Sequence, residues 1–214
     1  MYHPVLESLS EWASEMTRKG HVVSLLHDKS SLVGGDILFL VSCSQLIRPK
    51  ERSKFKATLV LHASDLPKGR GWSPHIWAIL SGENRITVTL LEANEPVDSG
   101  PIWLQSSFLL EGHELLPEVN ALLFAAELSL MSRAVEQFGC IRPTPQQGDS
   151  GALLPRRTPA DSQLDPGRTI AEQFELLRVV DSERHPAFFC FRGKRYVLRI
   201  EKDEEETSFY RVRN

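Results

Sequence analysis

A chain of 214 residues is long enough for one well-packed core, or for one core with a small appended subdomain. Hydrophobic residues make up 41% of the chain and charged residues 25%, which is typical of a globular protein and excludes wholesale disorder. The net charge of −3, from 25 Lys and Arg against 28 Asp and Glu, disfavours holding a nucleic-acid backbone by charge alone.

The cysteine content and the hydropathy pattern exclude several further classes. Cys43, Cys140 and Cys190 are odd in number and widely spaced, which fits neither a disulfide scaffold nor a zinc site. The sequence therefore predicts a cytoplasmic protein without a metal site, with its thiols packed in the core. The longest apolar run, 37–41, is too short to cross a membrane, and the first residues lack a signal-peptide profile. We expect no membrane partner.

The first third of the chain predicts an α/β architecture. Apolar residues spaced by threes and fours predict an amphipathic helix over 5–19. A β-branched and aliphatic run predicts a strand over 21–26, and the apolar run over 37–41 predicts a strand buried on both faces of a parallel sheet. A third apolar run, over 57–61, predicts another strand. Strands that alternate with helical segments are typical of layered α/β folds.

The middle of the chain predicts two helices and two strands. Ser73 followed by proline is a helix-start signal, with Ser73 as the N-cap of a helix over 74–80. Alternation of apolar residues and threonine predicts a half-buried strand over 86–92, and a short strand follows over 102–105. A long helix with apolar periodicity is expected over 114–138.

The composition changes after residue 140. Five prolines and a Gln-Gln-Gly-Asp-Ser-Gly tract predict an extended connector over 141–168. We therefore expect a main domain over 1–140 and a small C-terminal α+β subdomain over 169–214, which ends in an acidic tail. The subdomain is expected to begin with a helix, and two apolar runs that flank Arg192 and Gly193 predict a β-hairpin.

The loop after the strand over 57–61 carries the residues that indicate chemistry. His62 ends that strand, at the position where open α/β sheets place their ligands. Asp98 follows a later strand in a Val-Asp-Ser-Gly turn, so it could fold back to His62. A histidine paired with a carboxylate can move a proton near neutral pH. From spacing alone, a structural or solvent-exposed histidine remains the alternative.

The motifs around this loop carry a resemblance to a known family. From His62 to Trp77 the chain reads His-Ala-Ser-Asp-Leu-Pro-Lys-Gly-Arg-Gly-Trp-Ser-Pro-His-Ile-Trp, and a threonine-bearing strand and the Val-Asp-Ser-Gly turn follow. This pattern resembles the formyltransferase superfamily, which uses 10-formyltetrahydrofolate. With residues 173–181 and 186–189, it is most similar to the bacterial nucleotide-sugar N-formyltransferase branch. The likeness extends over about residues 20–200.

The resemblance implies a fold and an activity. The fold would be a Rossmann-like sheet with flanking helices, with the catalytic domain over 1–140 followed by the small C-terminal helix-hairpin subdomain. The reaction would transfer a formyl group from 10-formyltetrahydrofolate to the amine of a nucleotide-linked deoxyamino sugar, for surface polysaccharide. The partners would be folate and that amino sugar, and members of the branch often form homodimers.

The resemblance also implies roles for single residues. His62 would stabilise the negative charge that develops on the formyl oxygen. Asp98 would orient and charge the histidine and help to take a proton from the amine. The residues that would line the wall where the pterin binds, largely through backbone groups, are Leu66, Pro67, Gly69, Gly71 and Thr89. His75 is expected to lie along the helix, with contact to the substrate as the alternative.

Two departures from the family pattern affect these expectations. The family places a catalytic asparagine two positions before the histidine, where this chain has Val60. Loss of an oxyanion donor costs about a hundredfold to a thousandfold in rate, so we expect a replacement donor, with Ser42, Ser44 and Ser64 as the candidates. The family also opens with a central strand, whereas the first helix here begins just after Met1. We therefore expect the sheet to lack its first strand and the true start to lie upstream.

Two other functions remain open at this point. Methionyl-tRNA formylation requires a C-terminal domain that grips tRNA, but residues 151–214 contain 12 Lys and Arg against 11 Asp and Glu. That segment is also short for such a domain. A non-catalytic folate-binding or nucleotide-sugar-binding protein is the other alternative, and it is suggested by Val60 and by the missing strand.

Overall fold

The computed structural model describes residues 4–203, which form two compact units that meet in sequence at Arg156 and Arg157. The first unit contains α1 (Val5–Arg18), β1 (Gly35–Leu40), α2 (Pro49–Arg52), β2 (Phe55–His62), α3 (Pro74–Leu80), β3 (Arg85–Glu92), β4 (Ile102–Leu109) and α4 (Leu116–Glu136). The second unit contains α5 (Phe174–Arg178), β5 (Ala187–Phe191) and β6 (Lys194–Leu198). The helices predicted over 5–19, 74–80 and 114–138 are confirmed.

The four strands of the first unit form one mixed sheet in the order β1-β2-β3-β4. Strands β1 and β2 are parallel, whereas β2 with β3 and β3 with β4 are antiparallel, so the expected parallel sheet is only partly present. Helix α3 has 7 residues and is only about 10 Å long. After α3 the chain turns back, and β3 runs antiparallel beside β2.

Helices α1 and α4 cover one face of this sheet. Alternate residues of β2 and β3, such as Leu59, Leu61 and Leu90, enter one core cluster with apolar residues of both helices. The Nε1–H of Trp12 in α1 donates a hydrogen bond to Oγ of Ser132 in α4, at 2.9 Å. On β2, Val60 and His62 alternate with Leu59 and Leu61, so their side chains face the opposite side of the sheet.

Two predictions about the start of the sheet were wrong. Residues 21–26 form no strand, and Val22 is fully exposed. The apolar residues 37–40 of β1 are half-buried and not buried on both faces, because in the described part of the chain β1 pairs with β2 alone. A hydrophobic run predicts a strand only where a neighbour satisfies its backbone groups, and local sequence does not show whether that neighbour exists.

Smaller local predictions also needed correction. Ser73 stands at the N-cap position of α3 but makes no side-chain cap, because it adopts a left-handed conformation with φ of 48°. Strand β4 continues to Leu109, well past the expected end at residue 105. The three cysteines, 43, 140 and 190, are free but exposed, so the prediction of core thiols was wrong.

The second unit has a small core of its own. Leu164, Leu177, Val180 and Ala187 form the buried cluster of this unit. Strands β5 and β6 pair as the expected antiparallel hairpin, and both turn residues, Arg192 and Gly193, have positive φ, as a two-residue type I′ turn requires. The expected helix is shorter, because a 3₁₀ turn precedes α5. The acidic tail extends beyond the described residues.

Residues 4–203 contain neither a membrane-spanning helix nor a cluster of metal-binding side chains. No helix there is long and apolar enough to cross a bilayer. Among the same residues, no three His, Cys, Asp or Glu side chains lie together as a metal site would need.

Candidate functional site

The structure brings the two predicted catalytic side chains together at one end of the sheet. His62 is the last residue of β2, and Nδ1 of its ring lies 3.6 Å from Oδ1 of Asp98. Both side chains are buried, with 7% and 8% of their surface exposed. The pair lies at the carboxyl end of β2, where β1 and β2 run parallel, which is the usual position of ligand sites in α/β sheets.

A second contact fixes the His62 ring. Its Nε2 lies 2.9 Å from the carbonyl oxygen of Gly69, and because a carbonyl can only accept, Nε2 carries the proton. Both ring nitrogens thus face oxygen acceptors, a carbonyl on one side and a carboxylate on the other. The ring is therefore fixed at both nitrogens, and a reacting group that displaced the carbonyl of Gly69 would meet the Nε2–H.

The turn that carries Asp98 is held in an uncommon conformation. Asp98 has φ of 59°, which Asp tolerates better than most residues, and its Oδ2 accepts the backbone N–H of Gly71 at 3.2 Å. Two residues later, a Cβ on Gly100 would overlap the carbonyl oxygen of Glu92. The Val-Asp-Ser-Gly pattern therefore has a steric reason for glycine at its last position, and its aspartate contacts both His62 and Gly71.

Gln146 is a positioning residue that the sequence analysis missed. Its Nε2 donates to the backbone carbonyls of Asp98 at 2.9 Å and Gly100 at 2.8 Å, so one amide group clamps the Asp98 turn from outside. Gln146 lies in the predicted connector, where backbone bonds between Thr144 and Ile102 and between Leu154 and Arg70 bind this segment to the first unit. A Pro-rich composition gave no signal for these contacts.

The hydroxyl groups of Thr89 and Ser64, near His62, both donate hydrogen bonds to backbone carbonyls. Thr89, paired with His62 across β2 and β3, donates from Oγ1 to the carbonyl of Ser64 at 2.7 Å. Ser64 in turn donates from Oγ to the carbonyl of Lys68 at 2.8 Å. The side chain of Gln105 donates to Thr89 Oγ1 at 2.9 Å. These bonds shape the loop from Ser64 to Lys68 and use the hydroxyl proton of Ser64, one of the three candidate replacement donors.

The loop predicted to bind the pterin contacts both His62 and Asp98, through Gly69 and Gly71. Leu66 is buried, Pro67 and Gly69 are half-buried, and Gly71 has φ of 112° where a Cβ would overlap the backbone of Leu154. Within the described residues, two buried nitrogens beside this loop, Nε of Arg70 and Nδ1 of His75, have no hydrogen-bond partner. Unused buried polar atoms of this kind fit a ligand that carries hydrogen-bonding groups, as a pterin does.

His75 is the second histidine of this region. It is the second residue of α3, and burial, with a smaller contribution from the nearby His62, lowers its pKa to about 4. The ring is therefore neutral at pH 7 and can donate from one nitrogen and accept at the other. At the position of the expected asparagine, Val60 presents only methyl groups to this side of the sheet.

Comparisons with known proteins place the chain in a family. The family model described as formyl transferase matches residues 4–135, which include His62 and Asp98. A curated relative, the methionyl-tRNA formyltransferase of Desulfotalea psychrophila, is 30% identical over 141 residues, which are 64% of this chain and 43% of the relative. The chain thus spans less than half of that relative's length.

Solved structures with this fold carry several related names. Methionyl-tRNA formyltransferase from Clostridium thermocellum has a TM-score of 0.76 at 18% identity, covering 96% of this chain and 92% of that one. HypX from Aquifex aeolicus in complex with tetrahydrofolic acid has a TM-score of 0.73 at 23% identity, covering 94% and 36%. A sugar N-formyltransferase from Shewanella has a TM-score of 0.69 at 14% identity, covering 94% and 95%. From the family match over residues 4–135, this chain belongs to the formyl transferase family.

Proposed function

We propose that this protein transfers a formyl group from 10-formyltetrahydrofolate to the amine of a nucleotide-linked deoxyamino sugar, for surface polysaccharide biosynthesis. The observation that carries the proposal is the buried pair of His62 and Asp98, which lies at the carboxyl end of a parallel strand pair. Such a pair can stabilise an oxyanion and move a proton, and formyl transfer to an amine needs both.

Each residue of the pair has one task. His62 would donate its Nε2–H, which the carbonyl of Gly69 accepts without a ligand, to the negative charge on the formyl oxygen. Asp98 holds the ring in place and accepts the proton that the attacking amine must lose. The clamp of Gln146 and the N–H of Gly71 keep the carboxylate of Asp98 oriented toward the ring.

The folate would supply the formyl group and lie along the loop from Leu66 to Gly71. Leu66 and Pro67 offer apolar surface, and Gly69 and Gly71 let a ligand approach the backbone closely. Thr89 would act indirectly, since its hydroxyl holds the loop at the carbonyl of Ser64. A similar structure carries tetrahydrofolic acid, which supports the assignment of this ligand class.

The charge of the chain favours a sugar acceptor over a tRNA. The net charge is −3, and residues 151–214 contain 12 Lys and Arg against 11 Asp and Glu. A tRNA contact would need a surplus of basic residues, because phosphate neutralisation supplies most of the affinity. We place the enzyme in the cytoplasm, where three free, exposed cysteines would stay reduced.

Methionyl-tRNA formylation is the second candidate, because the curated relative with that name is 30% identical over 141 residues. The test supplies 10-formyltetrahydrofolate with nucleotide-linked amino sugars that differ in the position of the amine, and separately with methionyl initiator tRNA. Mass spectrometry measures the formylated product. We expect product with at least one amino sugar and none with tRNA. Product with tRNA alone would overturn the sugar assignment, and folate binding without any product would indicate a binding protein.

A further inference from the structure

We propose that His75 is a catalytic residue that donates a hydrogen bond to the formyl oxygen, the contact that Val60 cannot make. The proposal rests on the proposed function, because it names the oxyanion donor of that same site. Three observations carry it: the place of His75 beside His62, its unused ring nitrogen, and the commitment of the neighbouring hydroxyl to the fold.

The fold brings His75 close to the reacting pair. The loop that leaves β2 at His62 ends at Pro74, the first residue of α3, and α3 packs against β3. His62 lies near enough to His75 for its charge to contribute to the lowered pKa of that ring, after burial. Val60 and His62 are two residues apart on β2, so their side chains face the same side of the sheet.

The ring of His75 has an unused polar atom. Its Nδ1 is buried, and no group within residues 4–203 lies at hydrogen-bond distance from it. Burial of a ring nitrogen without a partner costs free energy, and such groups in proteins are usually satisfied by a ligand or by water. A bound formyl group would provide the acceptor that Nδ1 lacks.

Neutrality suits His75 to this task. With a pKa of about 4, the ring carries no charge at pH 7, so it does not repel a protonated His62. A neutral imidazole still has one N–H, and it can stabilise negative charge on a carbonyl oxygen without giving up the proton. Two donors, one charged and one neutral, would then converge on the same oxygen.

The serine alternatives fit this role less well. Ser64 donates its hydroxyl proton to the carbonyl of Lys68. Ser42 and Ser44 lie beyond the end of β1 and are exposed, so water competes for their hydroxyl groups. An oxyanion donor works best where water is excluded, which favours the buried nitrogen of His75.

The step balances without another reagent. The lone pair of the amine forms a bond to the formyl carbon, and the electron pair of the C=O bond moves to oxygen, where His62 and His75 donate hydrogen bonds. The amine proton passes to Asp98. When the C=O bond re-forms, the bond between carbon and N10 of the folate breaks, and N10 takes the proton that Asp98 received from the amine. His75 keeps its proton throughout.

Rescue by a second substitution separates this role from a structural one. His75→Ala should lower kcat by about a hundredfold, the usual loss for one oxyanion donor, with the KM for the folate nearly unchanged. Val60→Asn added to His75→Ala should raise kcat at least about tenfold above that of His75→Ala alone, because an amide returns to the position two residues before His62. His75→Asn, which keeps an N–H near the Nδ1 position, is the matched control and should lose less. Equal losses in all three variants would overturn the proposal.

A binding measurement on the unmodified protein tests the contact without turnover. The ¹⁵N resonances of the His75 ring, assigned by their loss in His75→Asn, are followed while 10-formyltetrahydrofolate or tetrahydrofolate is added without an amine. We expect Nδ1 of His75 to shift with the formylated folate and to shift much less with tetrahydrofolate. If the His62 resonances move and those of His75 do not, the role of His75 is wrong and the proposed function stands. If neither ligand moves any resonance, the folate assignment itself fails, and this inference fails with it.

Discussion

Asp98 and Glu127 are both buried carboxylic acids of the first unit, but they differ in their hydrogen-bond partners. Asp98 lies at the carboxyl end of β2, with His62 on one oxygen and the N–H of Gly71 on the other. Glu127 lies on the buried face of α4, on the side of the sheet packed by α1 and α4, and its Oε2 has no hydrogen-bond partner within residues 4–203. Burial raises the pKa of Glu127 to about 7.

The difference shows which buried acid is suited to charge chemistry. Asp98 has a histidine directed at one oxygen and a backbone N–H at the other, so both oxygens of its carboxylate have partners. Glu127 is surrounded by apolar residues of the helix face, including Leu123, Leu130 and Met131, so its neutral form is favoured. Burial alone therefore does not mark a catalytic acid, whereas burial with directed partners does.

Replacement of His62 should give the largest effect on activity. His62→Ala removes the imidazole and its N–H donor and should lower kcat by about a thousandfold, within the range for a general acid–base group. Asp98→Asn keeps the shape of the turn and should lose about a hundredfold. Steady-state rates of formyl transfer measure both, and thermal unfolding shows whether the variants fold. A near-normal rate in folded His62→Ala would contradict the role of the pair.

Replacement of Glu127 should change stability and leave formyl transfer unchanged. Because the pKa of the folded state is above the ordinary value of 4.5, the wild type loses stability as the pH rises from about 4.5 through about 7. That pKa change corresponds to about 3 kcal/mol at pH 8. Denaturant unfolding should show Glu127→Gln equal to the wild type at pH 4 and more stable by up to that amount at pH 8. Equal pH dependence of the two proteins would show that Glu127 is not the buried acid described.

Loss of the Gln146 clamp should give the smallest effect. Gln146→Ala frees the carbonyls of Asp98 and Gly100 and should lower kcat by about tenfold, because the carboxylate is held less firmly toward His62. Gln137→Ala, in the exposed C-cap of α4, is a control that touches no site residue. Equal rates for the two variants would remove Gln146 from the site.

Much of the site could be predicted from the sequence, because its residues lie at the end of a strand and in a turn, which local sequence patterns indicate. His62 ends an apolar run, and Asp98 stands in a turn whose glycine is required by close backbone approach. Gln146 could not be predicted, because its contacts cross some 48 residues to reach a turn and nothing in a Pro-rich segment marks them. The unpartnered Nδ1 of His75 could not be predicted either, because only the folded structure shows that this nitrogen is buried without a partner.

The parts of the fold that were missed depend on neighbours as well. Residues 21–26 and 37–41 both have strand-like composition, but only the second run pairs, as β1 with β2, and its burial on both faces would need a second neighbouring strand. The antiparallel direction of β3 was missed because the alternation of apolar residues predicts a strand but not the direction in which it runs. The exposed cysteines were missed because cysteine is among the residue types most often buried, and nothing beside these three marks them as exceptions.

Label transfer tests the central claim most directly. The full chain is incubated with 10-formyltetrahydrofolate carrying ¹³C in the formyl group and with a mixture of nucleotide-linked amino sugars and methionyl-tRNA, and ¹³C NMR follows the label. The account predicts that the label moves into a formamide of an amino sugar with the wild type and stays on the folate with His62→Ala. Label that remains on the folate, or that appears only as free formate, with the wild type would contradict it.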